Sequence, residues 1–303
     1  MTGTTAKKVP FVLQYYPDYE YSLAATQLML AMLGMGATLT WQDFCGILQR
    51  PQGIALVLLN QYILFPLVAI VLWWTLDLPT GIAIGLLLVM VMPSGSASNI
   101  FTHLGHGNVP LSMTATAAST VSSLLFTPII LRVFVSNLSD DFRMPIGEIM
   151  IQIIVFMILP LSVGMIVGHY AVKSRVWISR WLIRGSLLAL ACIVIGALGS
   201  GRLEIWQYGW WLPLLLLLFG AAKFFFAGKI AKWAGFSARD SFTMAIEVGL
   251  RNCNLAVLLL SFLFPADDPQ GASLGSAVLY VALFYGGSTL FIAAYPIIRR
   301  RLT

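Results

Sequence analysis

The chain has 303 residues, 59% of them apolar and only 10% charged, where a soluble domain carries roughly a quarter charged residues. A fold this apolar cannot cover itself with polar surface, so a water-soluble domain is excluded and the lipid bilayer is its solvent. The formal charge of +6 does not mark a nucleic-acid binder, because the basic residues form short clusters between apolar runs and act as topology signals.

A membrane helix needs about 20 mostly apolar residues. Nine such runs follow one another: 21–40, 53–75, 79–103, 109–135, 146–171, 180–199, 208–228, 239–264 and 273–297, here spans A to I. Residues 1–20 hold Pro10, Pro17, Asp18 and Glu20, too short and polar a segment for a further span. They carry no apolar stretch leading to a cleavage site, so no cleavable signal peptide is expected. Cys45, Cys192 and Cys253 lie far apart without metal spacing and read as free thiols.

Lys and Arg set the orientation. Twelve fall in the linkers after A, C, E and G and at the C-terminus, with Lys223, Lys229 and Lys232 assigned to the linker after G. Five, among them Arg132 and Arg202, fall on the other side. The expected arrangement is a multi-pass protein of the plasma (cell inner) membrane, with residues 1–20 extracytoplasmic and the C-terminus cytoplasmic.

Span C is interrupted in its middle by Met92-Pro93-Ser94-Gly95-Ser96-Ala97-Ser98-Asn99. Pro93 removes a backbone donor and clashes with the preceding turn, and Gly95 weakens the helix further. Freed backbone groups in hydrocarbon must find partners in protein or in a wet cavity. Span D is rich in hydroxyls, with Ser112 and Thr116 four apart on one face. Span H places Glu247, Arg251, Asn252 and Asn254 near the bilayer centre, where each ionised group costs roughly 2.5–3.5 kcal/mol.

A structural reading stands beside each feature. The Pro-Ser-Gly stretch alone is compatible with a simple kink. Glu247 and Arg251 are spaced i, i+4 and suit a plain ion pair. Hydroxyls in membrane helices bond back to their own backbone or ease close packing. His103 and His106 read as interfacial, Tyr285 with Gly286 and Gly287 as packing or as a substrate wall, and Trp73, Trp74, Trp206, Trp210 and Trp211 as interfacial anchors.

Placement argues for function. C is the third span of residues 21–145 (A–D), and H is the third of residues 180–303 (F–I). The two sets run in opposite directions, with the helix of 146–179 between them. Paired interruptions at matching places of inverted halves point to a secondary transporter's binding site. A hard cation wants several oxygen ligands, and Ser98, Asn99, Ser112, Thr116 and Glu247 can supply them. Half-helix N-termini favour an anion.

These residues resemble those of the bile acid:sodium symporter family. The matching stretches are Pro93-Ser94-Gly95-Ser96-Ala97-Ser98-Asn99, Gly107-Asn108-Val109-Pro110-Leu111-Ser112, Glu247-Val248-Gly249-Leu250-Arg251-Asn252, Met35-Gly36-Ala37-Thr38-Leu39-Thr40 with Asp43-Phe44, and Gln61 before Pro66. The resemblance runs from about residue 25 and implies panel and core domains with two crossed broken helices, in a member lacking the first helix. It assigns a first sodium site to Ser98, Asn99, Ser112, Thr116 and Glu247. It assigns a second to Gln61, Glu247, carbonyls near Val248 and Leu250, and a glutamine that is Arg251 here. A guanidinium has donors and no acceptor, so it displaces a cation and can reach an anion.

The expectation is an all-α polytopic membrane protein that couples sodium to symport of a small organic anion by alternating access. Arg251, Asn252 and Asn254 are its candidate substrate contacts, sodium is its only metal, and it has no cofactor. Proton coupling through Glu247 is the alternative. An arsenite-type permease is disfavoured, because Ser94 and not a thiol follows Pro93. An intramembrane enzyme is disfavoured too, because Asp140-Asp141 and Asp267-Asp268 lack a repeated acidic motif.

Overall fold

Apolar runs separated by Pro, Gly and polar clusters produce helices, and the computed structural model describes residues 15–49, 51–135, 145–265 and 269–302. The acidic pairs Asp140-Asp141 and Asp267-Asp268 lie outside those residues. All regular elements described are helical. They are α1 (Tyr16–Gly36), α2 (Trp41–Gln49), α3 (Pro51–Leu76), α4 (Thr80–Val91), α5 (Ala97–Leu104) and α6 (Val109–Val135). After these come α7 (Ile146–Tyr170), α8 (Arg175–Gly199), α9 (Trp211–Trp233), α10 (Ala238–Gly249), α11 (Cys253–Leu263) and α12 (Pro269–Leu302).

Among the described residues six helices are long and apolar enough to cross a membrane: α3, α6, α7, α8, α9 and α12. Span A falls on α1, which starts at Tyr16 and takes in Glu20 from the segment read as too short and polar for a further span. Spans C and H are each divided in two, into α4 and α5 and into α10 and α11. The remaining expected boundaries move by at most five residues, as at the start of α8 (Arg175 where 180 was expected), the end of α9 (Trp233 where 228 was expected) and the end of α12 (Leu302 where 297 was expected).

Two long helices carry a π turn just before a proline. In α3 it covers Asn60–Leu64 ahead of Pro66, and the Phe65 N–H bonds the Asn60 carbonyl. In α7 it covers Ile154–Ile158 ahead of Pro160. The proline cannot donate to the ladder, so the helix widens by one residue there. The widened turn of α3 turns Gln61 fully inward.

Close backbone contact fixes α1 against α7. A Cβ at Gly36 would collide with the Leu161 carbonyl, one at Gly164 with the Leu33 carbonyl, and one at Gly168 with the Ala37 carbonyl. Small residues four apart are how membrane helices approach this closely. Gly168→Val is therefore expected to force the two helices apart and cost about 1–3 kcal/mol, as overpacking does, read as a lowered Tm in detergent.

Arg202 and Glu20 form a second tie, made of residues far apart in sequence. Arg202 Nε donates to Glu20 Oε2 at 3.2 Å, Nη1 to the Ala272 carbonyl at 2.7 Å and Nη2 to the Phe264 carbonyl at 2.8 Å. Both side chains are buried. The cluster binds the start of α1, the loop after α8, the residue after α11 and the first turn of α12. Arg202 was expected to be a loop charge signalling topology, but burial among these acceptors makes it a structural clasp.

Candidate functional site

The site forms where the two interrupted spans meet. Met92 precedes Pro93 and is extended, as the residue before a proline prefers. Leu250, after Gly249, is also extended, with φ −88° and ψ 108°. The two short extended pieces pair antiparallel at Ser94 and Arg251. Gly95 N donates to the Leu250 carbonyl at 3.0 Å, and Asn252 N donates to the Pro93 carbonyl at 2.9 Å. A Cβ at Gly95 would stand 2.8 Å from the Arg251 carbonyl oxygen, so glycine is needed for this approach.

The other freed backbone groups also find protein partners. Thr127 Oγ1 donates to the Val91 carbonyl at 2.8 Å, and Ser94 Oγ donates to the Glu247 carbonyl at 3.0 Å. Tyr285 Oη donates to the Gly249 carbonyl at 3.2 Å, and Ser94 N donates to Ser119 Oγ at 3.1 Å. Asn252 Oδ1 accepts from Leu255 N at 3.2 Å and caps α11. Broken backbone survives in the bilayer only when buried and satisfied in this way.

Behind this bridge, Glu247 is fully buried at the C-terminal end of α10. Ser112 Oγ donates to its Oε1, and Thr116 Oγ1 donates to its Oε2 at 2.9 Å. Ser98 Oγ lies 3.3 Å from Thr116 Oγ1, and Ser112 Oγ is 2.8 Å from Asn99 Oδ1. Side chains from α5, α6 and α10 thus set hydroxyl, carboxamide and carboxylate oxygens around one spot, a donor set suited to a hard cation.

In front of the bridge lies a cavity of about 940 Å³. Its walls come from α1, α5, α8, α9, α11 and α12 and are mainly apolar, as at Leu187 and Leu190. Its polar lining at the bridge includes Ser96, Arg251, Asn252 and Asn254. Gly286 and Gly287 also line it, whereas Tyr285 is turned into the core.

Gln61 and Arg251 meet at one carbonyl. Gln61 Nε2 donates to the Met92 carbonyl at 3.1 Å, and Arg251 Nη1 reaches the same oxygen at 3.4 Å. Gln61 Oε1 and Arg251 Nε and Nη2 have no hydrogen-bond partner. The i, i+4 ion pair of Glu247 and Arg251 does not form, because the chain leaves the helix at Leu250 between them. The ion pair found among the described residues is Arg202–Glu20.

Lys223 lies inside span G (208–228), although its charge is counted above with the linker after it. It sits near the middle of α9 and is fully buried. Its Nζ is 3.5 Å from Met90 Sδ, 5.1 Å from the centre of the Tyr285 ring and 5.7 Å from that of Phe65. The available signal was its place inside Phe219-Gly220-Ala221-Ala222-Lys223-Phe224-Phe225-Phe226, an apolar run that a linker would not contain. Ring faces attract an ammonium within about 6 Å, by roughly 2 kcal/mol when desolvated, which is less than burial of an unpaired ion costs. Lys223→Met, which removes a buried polar head held by a thioether and two ring faces, is therefore expected to raise the Tm in detergent, by the equivalent of about 1–3 kcal/mol. A lowered Tm would show that the ring contacts outweigh desolvation.

His103 and His106 are exposed, and so are Trp74, Trp206, Trp210 and Trp211, whereas Trp73 is half-buried. Cys45 and Cys192 are exposed free thiols, and Cys253 lines the cavity as a third.

Spanning helices, two broken spans joined back to back and a buried oxygen cluster define a multi-pass membrane protein of the transporter class. The chain belongs to the sodium bile acid symporter family, whose model matches residues 25–207. It is 32% identical over 232 residues to a probable chloroplastic sodium/metabolite cotransporter of Arabidopsis thaliana, covering 77% of this chain and 57% of that protein. It is 30% identical over 234 residues to an uncharacterized sodium-dependent transporter of Bacillus subtilis, covering 77% and 71%. It is 26% identical over 252 residues to the human ileal sodium/bile acid cotransporter, covering 80% and 69%. The chain thus spans little more than half the length of the Arabidopsis relative.

Proposed function

We propose that this chain is a secondary transporter that couples sodium to the symport of a small organic anion. The observation that carries the reading is the convergence of Ser98, Asn99, Ser112 and Thr116 on Glu247, directly behind paired helix breaks that open on a cavity. Sodium would be held there by side-chain oxygens, with Glu247 as the one formal negative charge. Arg251 and Asn254, with the N-terminus of α11, would receive the anion's acid group. Asn252 takes part as well, through the cap that fixes that terminus.

In this reading the chain makes nine spans with residues 21–145 and 180–303 as inverted repeats. Helices α1, α7 and α8 act as a panel against a core of the rest, and the end of α12 is cytoplasmic in the plasma membrane. The cation site and the anion site share one wall, the Ser94–Arg251 bridge. Sodium bound at Glu247 braces the carbonyl side of that wall, through Ser94, and so prepares the cavity side. Alternating access then moves the paired breaks as one body past the panel.

Proteoliposomes with an inward sodium gradient test this, using a panel of labelled carboxylates and sulfonates. Uptake of at least one of them should follow sodium and fail when potassium replaces it. Uptake driven by a pH gradient without sodium would instead establish the proton-coupled alternative. A protein that moves none of the panel under either gradient would overturn the reading.

A further inference from the structure

The oxygen cluster at Glu247 depends on α6 and α10 lying in one particular register, and hydrogen bonds outside the cluster hold that register. On α6 and the turn before it, residues 108, 112 and 116 follow at intervals of four. On α10, residues 240, 243 and 247 follow at intervals of three and four. Both series mark one face of a helix. Asn108 Nδ2 donates to Asp240 Oδ1 at 2.6 Å, and Asn108 N donates to Thr243 Oγ1 at 2.7 Å. Ser112 and Thr116 then bond Glu247 further along the same two faces.

Each member of the outer pair is itself held. Asn108 Oδ1 accepts from Leu111 N at 3.2 Å, at the start of α6. Asp240 Oδ2 accepts from Ser237 Oγ at 2.9 Å, and Ser237 Oγ caps α10 by accepting from Asp240 N at 3.1 Å. Thr243 Oγ1 donates to the Arg239 carbonyl at 3.0 Å while accepting from Asn108. The turn before α6 comes close enough because of glycine: a Cβ at Gly107 would stand 2.7 Å from Thr243 Oγ1. His106, with φ 57°, takes the left-handed conformation that lets the turn fold back.

We propose that Asn108 and Asp240 are positioning residues for the cation site, a role that rests on the sodium reading of Glu247. A slip of one residue along either helix shifts a ligand by about 1.5 Å, too far for oxygens that must share one ion. The pair touches neither ion nor substrate and acts by fixing where Ser112 and Thr116 stand relative to Glu247.

The test is sodium-dependent thermal stabilisation of the purified full chain, titrated with sodium chloride against choline chloride. The proteins are wild type, Asn108→Asp, Asp240→Asn and the double exchange Asn108→Asp/Asp240→Asn. Asn108→Asp sets two carboxylates against each other and should raise the apparent sodium Kd, fitted from the dependence of stabilisation on sodium, about tenfold or more, as loss of an outer orienting partner does in metal sites. Asp240→Asn keeps an amide-to-carbonyl bond and should change it little. The double exchange restores one donor and one carboxylate and should return sodium affinity to near wild type. At one fixed sodium concentration well above Kd, a tenfold weaker affinity lowers the stabilisation by about 1.4 kcal/mol, and the double exchange should restore it.

Wild-type sodium affinity in Asn108→Asp would overturn the proposal. So would a weakened affinity that the double exchange does not recover. A wild-type protein with no sodium response would overturn the sodium reading itself, and the positioning role with it.

Discussion

Glu247→Ala should abolish the sodium response. Glu247 is the one carboxylate in the cluster, fully buried, with Ser112 and Thr116 donating to its two oxygens. Hydroxyl and carboxamide oxygens remain in the variant, but none carries formal charge. A cation entering that spot would then be desolvated without a counter-charge, which costs several kcal/mol per ion. Stability without sodium should change much less, because two effects oppose each other. Ser112 and Thr116 lose an acceptor, at about 1–3 kcal/mol for each donor left unmade, while the penalty of a buried carboxylate disappears. A ligand at 100 times its Kd adds about 2.7 kcal/mol to stability, so the wild type should show a clear rise of Tm with sodium and the variant none. Glu247→Gln should behave like the alanine variant, since it keeps the shape and loses the charge. Wild-type sodium dependence in either protein would show that the cation binds elsewhere.

Much of this site was legible because membrane physics makes exceptions expensive. Pro93 and Gly95 had to break span C, and a carboxylate with a guanidinium in span H had to face something polar. The i, i+4 spacing of Ser112 and Thr116 alone places both on one face of a helix. What could not be read was where the broken ends would find partners. The exchange between Gly95 and Leu250, and between Asn252 and Pro93, joins segments about 150 residues apart, and local pattern carries no trace of it. The same break removed the ion pair that the spacing of Glu247 and Arg251 suggests, because i, i+4 proximity holds only inside a helix. Arg202 and Lys223 were misread for a related reason. Lys and Arg near span ends signal topology on average, and the rule does not separate a snorkelling lysine from one turned into the core. Asn252 was legible only in part: its polarity marked the site, but its cap on α11 follows from the helix restarting at Cys253, one residue on.

Arg251→Gln should change how many sodium ions the protein uses. Arg251 and Gln61 both reach the Met92 carbonyl, so a fixed guanidinium stands at the edge of the region where the resemblance places a second sodium. With a tethered positive charge there, one mobile cation suffices, and sodium-driven uptake by the wild type should show a Hill coefficient of about one, the ceiling for a single site. Glutamine at 251 removes the charge and supplies an oxygen beside the unpartnered Oε1 of Gln61, so the coefficient should rise toward about two. The competing role of Arg251 makes a different prediction from the same titration. Its Nε and Nη2 lack protein partners but are themselves buried, so the side chain, which borders the cavity, must turn to present them to a ligand. If these donors hold the substrate's acid group, Arg251→Gln should weaken substrate binding by about 1.5–3 kcal/mol, the worth of a hydrogen bond to a charged group. That loss would be equal at every sodium concentration, with the Hill coefficient unchanged. Uptake measured across a matrix of sodium and substrate concentrations separates the two, because one alters the shape of the sodium curve and the other only the substrate axis. A wild-type coefficient clearly near two would sink the replacement idea, since a second sodium would then bind despite the guanidinium.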